Sequence, residues 1–397
     1  MTKHTTQDLL LTFNAGSSSI KIGLFELSDG HPRRIAKAVI DLRKRPPTFH
    51  LASESASFDA SLSAQVSEDL HDILVEALDI FSRHFDVQRV AVVGHRVVHG
   101  ADLFDGPVPL DEDTISRIED LIPLAPLHQP QSLRPIRAIR LLKPELPQFA
   151  SFDTAFHRSN ADVVRRFAIP RALHDEGVRR YGFHGLSYKF IAGELARRAP
   201  KDAKGRVVVA HLGSGASLCA LDDGRSCDTS MGFSTLDGVP MATRCGAIDP
   251  GVLLHLINER GKSAKEVEHM LYHDCGLLGI SGISADSREL LTDDRAEARQ
   301  AIGVFVFRIA GEIGRLAMSI GGLETLIFTA GIGENQPKVR EGVCRRLGWL
   351  GLKLDDAANA ENALLISSPE SSIAVHVMAT DEEQVIADEA YGLLHRG

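Results

Sequence analysis

The 397-residue chain reads as an α/β protein of two domains built on a duplicated core. Three observations carry that expectation. "DLLLTFNAGSSSIKIGLFELSDG" near the start and "GRVVVAHLGSGASLCALDDGR" past the middle share one pattern of apolar strand, small-residue turn and apolar strand. Between and after them, strand-length apolar runs alternate with segments of helical spacing. The length also suffices for two domains of ordinary size.

Taken in order, residues 9–27 read as a strand pair. Residues 41–66 are rich in Pro and Ser and poorly periodic, which predicts irregular or edge structure. From Ser67 onward, Leu70, Ile73, Leu74, Ala77, Leu78 and Phe81 recur at helical spacing. "RVAVVGHRVVHG" reads as a buried strand ending at Gly100. "LLKPELPQFASF" carries two prolines and then a strand-like run, which places a domain boundary near residue 150. The second domain is expected over 151–383, with a C-terminal helix, 384–397, returning to the first. Within the second, Ile302, Phe305, Val306, Ile309, Ile313, Leu316 and Ile320 share the face of a long core helix that Gly321-Gly322 ends. "ETLIFTAGIGENQPKVREGVCRRL" follows as strand, Gly-rich turn and helix, with Pro337 near the helix start.

Composition narrows the function. A net charge of −9 implies no general basic surface for nucleic acid. No apolar run is long enough to span a bilayer, and no long apolar segment follows a basic start at the N-terminus, so no membrane span or secretory leader is expected. Five cysteines without a CxxC pair read as reduced thiols. A cytoplasmic protein is the expectation.

The turns point to phosphate. Small residues let a backbone approach a ligand closely, and amide and hydroxyl groups in such a turn can cradle phosphate oxygens. In "NAGSSSIK", Lys21 adds a point charge for the same oxygens, although a surface hairpin with a polar tip fits that stretch equally well. Neither common nucleotide fingerprint is present: "GSGAS" lacks the last glycine of GxGxxG, and no GxxxxGK[ST] occurs. Arg96 lies inside an apolar strand, where a charge needs either a buried partner or a ligand, and the ligand role is favoured. His95 and His99 are poor metal partners at strand spacing and read as structural.

"NAGSSSIK", "GHRVVHG", "FDTAFH", "YGFHGLSY", "VVVAHLGSGAS", "TSMGF…ATRCGAIDPG", "LIFTAGIGEN" and "TDEEQVIA" occur in an order that resembles the acetate kinases over essentially the whole chain. The resemblance implies the sugar kinase–actin fold: two domains with a duplicated core, ATP in the interdomain cleft, and usually a homodimer. It implies reversible, Mg²⁺-dependent (Mn²⁺ is possible) in-line phosphoryl transfer from ATP to acetate, giving acetyl phosphate and ADP. A carboxylate acceptor is already ionised at pH 7, so the chemistry calls for cationic and hydrogen-bonding groups around the phosphoryl and not for a general base.

By the same resemblance, Arg96 and Arg244 bind the carboxylate and the transferring phosphoryl, and His184 stabilises that phosphoryl by hydrogen bonding. Asp153 positions metal and phosphate. Asn14 and Glu382 serve the metal. Lys21, Ser17 and Ser19 belong to the first phosphate loop, and His211, Gly213, Ser214 and Gly215 to the second. Asp286, Arg288, Gly331 and Asn335 lie at the nucleotide, while Val98, Leu127, Phe183 and Thr235 line the small-acid pocket. Thr380 followed by Glu383 reads as a capping box, which frees Glu382 for the metal, with the reverse assignment left open.

Four positions depart from the family pattern. Ser214 and Gln129 each stand for asparagine, Ser287 stands for phenylalanine and Thr235 for proline. A kinase for another short acid such as propionate, and a nucleotide-binding homologue with weak catalysis, remain the alternatives.

Overall fold

In a computed structural model, the structure describes residues 8–16, 19–28, 30–54, 57–64 and 70–395. The chain divides into two compact units. One comprises the residues up to Phe156 together with those from Asp381 on, and the other runs His157–Thr380. Ser17, expected in the first phosphate loop, lies outside the described residues.

The first unit is organised on an eight-stranded sheet. Its strands are β1 (Leu9–Ala15), β2 (Ser19–Ser28), β3 (His31–Asp41), β4 (Thr48–Ser53), β5 (Ser57–Ser61), β6 (Val90–Val97), β7 (Val108–Pro109) and β8 (Gln148–Phe152). Their spatial order is β5-β4-β3-β2-β1-β6-β8-β7. β1 to β5 form an antiparallel meander, and β1, β6 and β8 run parallel. The Pro- and Ser-rich stretch thus supplies β4 and the edge strand β5.

All seven residues of β1 are buried because both faces of the sheet are covered. Leu9, Leu11 and Phe13 join Ile73, Leu74 and Ala77 of the helix His71–Ser82, and Ala138 and Ile139 of the helix Gln129–Leu142. Leu10 points the other way, with Val92, onto Ala387 and Ala390 of the C-terminal helix Glu382–Leu394. That helix runs so close to β6 that a Cβ at Gly94 would lie 2.6 Å from Ile386 Cγ2.

The second unit repeats the plan. Its strands are β9 (Arg206–Leu212), β10 (Ala216–Asp222), β11 (Arg225–Thr229), β12 (Thr325–Thr329) and β13 (Ala374–Val377), in the order β11-β10-β9-β12-β13. β9, β10 and β11 are an antiparallel meander, while β12 and β13 join β9 in parallel. Strand for strand this is β3-β2-β1-β6-β8 again, so the duplicated core is present. The long helix spans Ala296–Ser319 and buries Phe305, Val306, Ile309, Ile313 and Leu316. Gly321 and Gly322, both with positive φ, turn the chain at its end.

Two local expectations are corrected. The Gly-rich segment after β12 is itself a short helix, Ala330–Asn335, with Pro337 opening the next one, Pro337–Arg346. The C-terminal helix is capped by Asp381, whose side chain accepts from Gln384 N; Thr380 is not the cap, and its hydroxyl is hydrogen-bonded to Ser187 Oγ at 2.9 Å.

Candidate active site

In the first unit, three parallel strands deliver polar side chains at their carboxyl ends, the usual place for ligand groups in such sheets. Asn14 is next to last in β1, Arg96 next to last in β6, and Asp153 follows β8. Arg96 Nε donates to Asp153 Oδ1 at 3.0 Å and Nη2 to Asp153 Oδ2 at 2.6 Å, a two-pronged pairing. Its Nη1 donates to Asn14 Oδ1 at 2.9 Å. Asn14 Nδ2 in turn donates to Glu382 Oε2 (2.7 Å) and Glu383 Oε1 (2.9 Å).

Burial works against the charge on Arg96, but Asp153, Glu382 and Glu383 outweigh it and raise its pKa. One guanidinium therefore faces three carboxylates. Both glutamates turn to Asn14, so Glu383 does not close a capping box. Lys21 pairs with Asn14 across the β1–β2 register and is exposed, and Ser19 O accepts from Gly16 N in the same turn.

Val98 is buried just beyond β6, while Leu127 is 37% exposed. The segment carrying Val98 is clamped by Gln129, which donates to His99 O (2.8 Å) and accepts from His99 N (3.1 Å). That buried pair gives the Gln129 departure a structural role. His95 hydrogen-bonds Gln148 and stacks on Phe13, and burial pushes its pKa down to about 3. Burial likewise pushes His99 down to about 4. Both are neutral structural groups.

In the second unit, His184 sits at the start of the helix Gly185–Arg198 with a left-handed backbone, φ 57°. Its Nδ1 is 2.7 Å from Ser217 Oγ on β10, and its ring stacks on His211 at 4.3 Å. His211, on β9, is held at Nδ1 by Ser187 Oγ, 2.8 Å away.

The turn from β9 to β10 is closed by Gly213 N donating to Gly215 O, and Ser214 O accepts from Ala242 N. A Cβ at Gly215 would lie 2.8 Å from Arg244 Nη2 and 3.5 Å from His184 Nε2. Both nitrogens therefore converge on the bare face of that glycine. Arg244 is half-buried, and its partial desolvation lowers its pKa. Its Nη1 donates to Thr235 O at 2.9 Å, and among the described residues no carboxylate pairs with it. Desolvating a guanidinium without an anion is costly, so this one is suited to an anion that arrives as ligand.

Phe183 is almost fully buried, with its carbonyl 3.0 Å from His157 Nε2. Thr235 is buried as well, and its side chain hydrogen-bonds the phenol of Tyr272. In the short helix Ala330–Asn335, Asn335 Nδ2 donates to Gly331 O (3.0 Å). Asp286 caps the helix Ser287–Thr292 and pairs with the exposed Arg288 at 2.5 Å. Ser287 is buried and accepts from Gln336 Nε2 at 2.7 Å, so the position that departs from phenylalanine ties this helix to the residue after the helix Ala330–Asn335.

A sequence profile of the acetokinase family matches residues 9–388. The chain belongs to the acetokinase family. It is 46% identical over 397 residues to the acetate kinase of Rhodopseudomonas palustris (strain ATCC BAA-98 / CGA009), covering 98% of this chain and 99% of that one. It is 45% identical over 390 residues to that of Nitrobacter hamburgensis, covering 98% and 96%. Among solved acetokinase-fold structures, it is similar to a propionate kinase from Francisella tularensis subsp. tularensis SCHU S4 (TM-score 0.90, 33% identity, 97% and 99% covered). It is also similar to the Porphyromonas gingivalis acetate kinase (TM-score 0.86, 33% identity, 98% and 100% covered). Family membership makes the chain a phosphotransferase with a carboxyl acceptor.

Ser217, Tyr188, Ser187 and Tyr272 were not singled out from the acetokinase-like motifs. Ser217 and Tyr188 do stand inside quoted motifs, "GSGAS" and "YGFHGLSY", but only the fold brings Tyr188 OH and Ser217 Oγ into hydrogen-bond contact.

Proposed function

We propose that the chain transfers the γ-phosphoryl group of ATP reversibly to the carboxylate of acetate. The observation that carries this reading is the half-buried Arg244, without a carboxylate partner among the described residues, converging with His184 Nε2 on the face of Gly215. The Arg244 guanidinium and an imidazole nitrogen able to carry a proton, fixed in advance on one face, favour a group whose charge is spread over equatorial oxygens. The acceptor carboxylate needs no base, which agrees with Asp153 being engaged as the acceptor of Arg96. Phe183, Val98 and Leu127 are the apolar residues proposed for the acid's methyl side. Because the Thr235 hydroxyl is satisfied by Tyr272, it need not compete for that methyl. Lys21, Ser19, His211, Gly213, Ser214, Gly331, Asn335, Asp286 and Arg288 are proposed on the nucleotide side.

Mg²⁺ fits the donor set of the first unit. Glu382 and Glu383 offer hard carboxylate oxygens, and Asn14 orients both. No group of three or more His, Cys, Asp or Glu side chains among the described residues is arranged for a metal, but Mg²⁺ needs only one or two carboxylates when phosphates and water complete its shell. When bound, it neutralises developing charge on the phosphates. Glu382→Gln should raise the Mg²⁺ concentration for half-maximal rate; an unchanged titration would remove Glu382 from the metal.

A homodimer is proposed from the helix Pro250–Asn258, "PGVLLHLIN", which is mostly apolar yet buries none of its residues. Leu254 is 60% exposed. Light scattering showing a monomer at micromolar concentration would refute this. The cytoplasm is proposed from the five free cysteines. No helix among the described residues is long and apolar enough to cross a membrane.

The deciding assay traps acyl phosphate with hydroxylamine in the presence of ATP, Mg²⁺ and a panel of short acids. Acetate should give the highest kcat/KM. A higher value for propionate would move the assignment to the propionate reading, and no product with any acid would leave a nucleotide-binding homologue.

A further inference from the structure

We infer that Tyr188 and Ser217 are positioning residues which hold neutral His184 in the tautomer that donates a hydrogen bond through Nε2. The inference rests on the phosphoryl-transfer reading, and extends it to the proton on this ring. Ser217 Oγ touches two groups, His184 Nδ1 at 2.7 Å and Tyr188 OH at 2.5 Å. A serine hydroxyl carries a single proton, so it can donate to at most one of them and accepts from at least one.

Two arrangements use the Ser217 proton within this cluster when the ring is neutral. In one, Tyr188 donates to Ser217, Ser217 donates to Nδ1, and the ring proton sits on Nε2. In the other, Nδ1–H donates to Ser217, Ser217 donates to Tyr188, and Nε2 shows a lone pair. Nε2 is the nitrogen that faces Gly215 beside Arg244 Nη2. Phosphate oxygens are acceptors, so a lone pair there is repulsive and an N–H is attractive. Only the first arrangement makes the site a pair of donors.

The ring cannot easily escape by turning over. It is stacked on His211 with an interplanar angle of 15°, on a backbone held at φ 57°. Tyr188 and Ser217 are both fully buried, on the helix and on the strand that flank the ring, so the relay is rigid and shielded from water. Nothing in this arrangement requires the imidazole to be charged; the donor is set by the neighbour on the opposite nitrogen.

The test combines kinetics with nitrogen-15 NMR of histidine-labelled protein, the His184 signals being assigned by their loss in His184→Ala. In the parent, Nδ1 should be unprotonated and Nε2 protonated at pH 7.5. In Ser217→Ala and Tyr188→Phe the ring should become a mixture of tautomers. Ser217→Ala should lower kcat about tenfold, the rate equivalent of about one net hydrogen bond, with KM for ATP little changed. Ser217→Thr should restore most of it.

The decisive comparison is the double variant. On a His184→Ala background, Ser217→Ala should cost nothing further, because its effect passes through the missing ring. A multiplied loss in the double variant would mean that Ser217 acts on folding or elsewhere, and would overturn the inference. So would an imidazolium or an Nδ1–H ring in the parent spectrum. If instead His184→Ala keeps the parental kcat, the phosphoryl-transfer role of His184 fails first. The spectrum still decides the tautomer, whatever the turnover.

Discussion

Arg96 and Arg244 show how one residue type serves two purposes. Arg96 is answered in full by Asp153 and Asn14, and its neighbours strengthen its charge. Arg244 has a backbone carbonyl as its acceptor, and burial weakens its charge. A cation in the second condition gains most from an incoming anion. Arg244→Ala should therefore lower kcat by about 10²–10³-fold, the cost of removing one fixed donor to a developing charge, while KM for ATP moves much less. Arg244→Lys should recover little, because an ammonium cannot reach Thr235 O and the Gly215 face with one planar fork. Steady-state kinetics against both substrates measures the split, and a kcat within a few-fold of the parent would remove Arg244 from the chemistry. Sequence alone placed a charge in the strand at Arg96 and left Arg244 looking like an ordinary loop residue apart from its family motif. What distinguishes them is their partners. Asp153 is far from Arg96 in sequence, and the lack of a carboxylate at Arg244 among the described residues is a property of the folded chain.

Among the elements, the C-terminal helix illustrates where local signals run out. "TDEEQ" contains two overlapping capping patterns, Thr380 with Glu383 and Asp381 with Gln384, and propensity does not separate them. The folded chain does, because the Thr380 hydroxyl is engaged with Ser187 while Asp381 accepts from Gln384 N and pairs with Arg34. Freed from capping, Glu383 joins Glu382 on Asn14. Asp381→Ala should destabilise by about 0.5–2 kcal/mol, the usual cost of a lost cap, or somewhat more with the ion pair gone. Thr380→Ala should leave the helix intact. Chemical denaturation followed by circular dichroism would show the difference, and equal losses would put the cap back in doubt. The long helix Ala296–Ser319 was far more legible, since its apolar face repeats over six turns and double glycine ends it. The third loop was less so, because glycines that read as a turn also tolerate the short helix Ala330–Asn335.

Across the whole molecule, the duplicated core could be read from two strand–turn–strand patterns, because strands in a sheet covered on both faces demand near-continuous apolar runs. The pairings that build the site could not be read in the same way. Asn14 meets Glu382 across 368 positions, and the closure depends on the last helix packing against β6 and β1. The same burial that makes the cores legible sets a whole-molecule pH response. His95 and His99 in the first unit and His157 in the second are held neutral by burial, at about 3, 4 and 4 against an ordinary 6.5. Below pH 6.5 the unfolded chain takes up protons at these positions and the folded chain does not. The unfolded state then binds more protons, so stability rises with pH; its contribution is complete above about 6.5 and is lost as pH falls toward 4. Each imidazole contributes a slope of about 1.4 kcal/mol per pH unit inside that window. Urea midpoints measured from pH 8 to pH 4.5 should be flat above 7 and fall steeply below 6. His99→Gln should either lower stability at every pH or leave the plateau unchanged, but in both cases it should shallow the acid slope. A parent curve that stays flat down to pH 5 would show that these rings accept protons in the folded chain, and that the two cores are open to water at His95, His99 or His157.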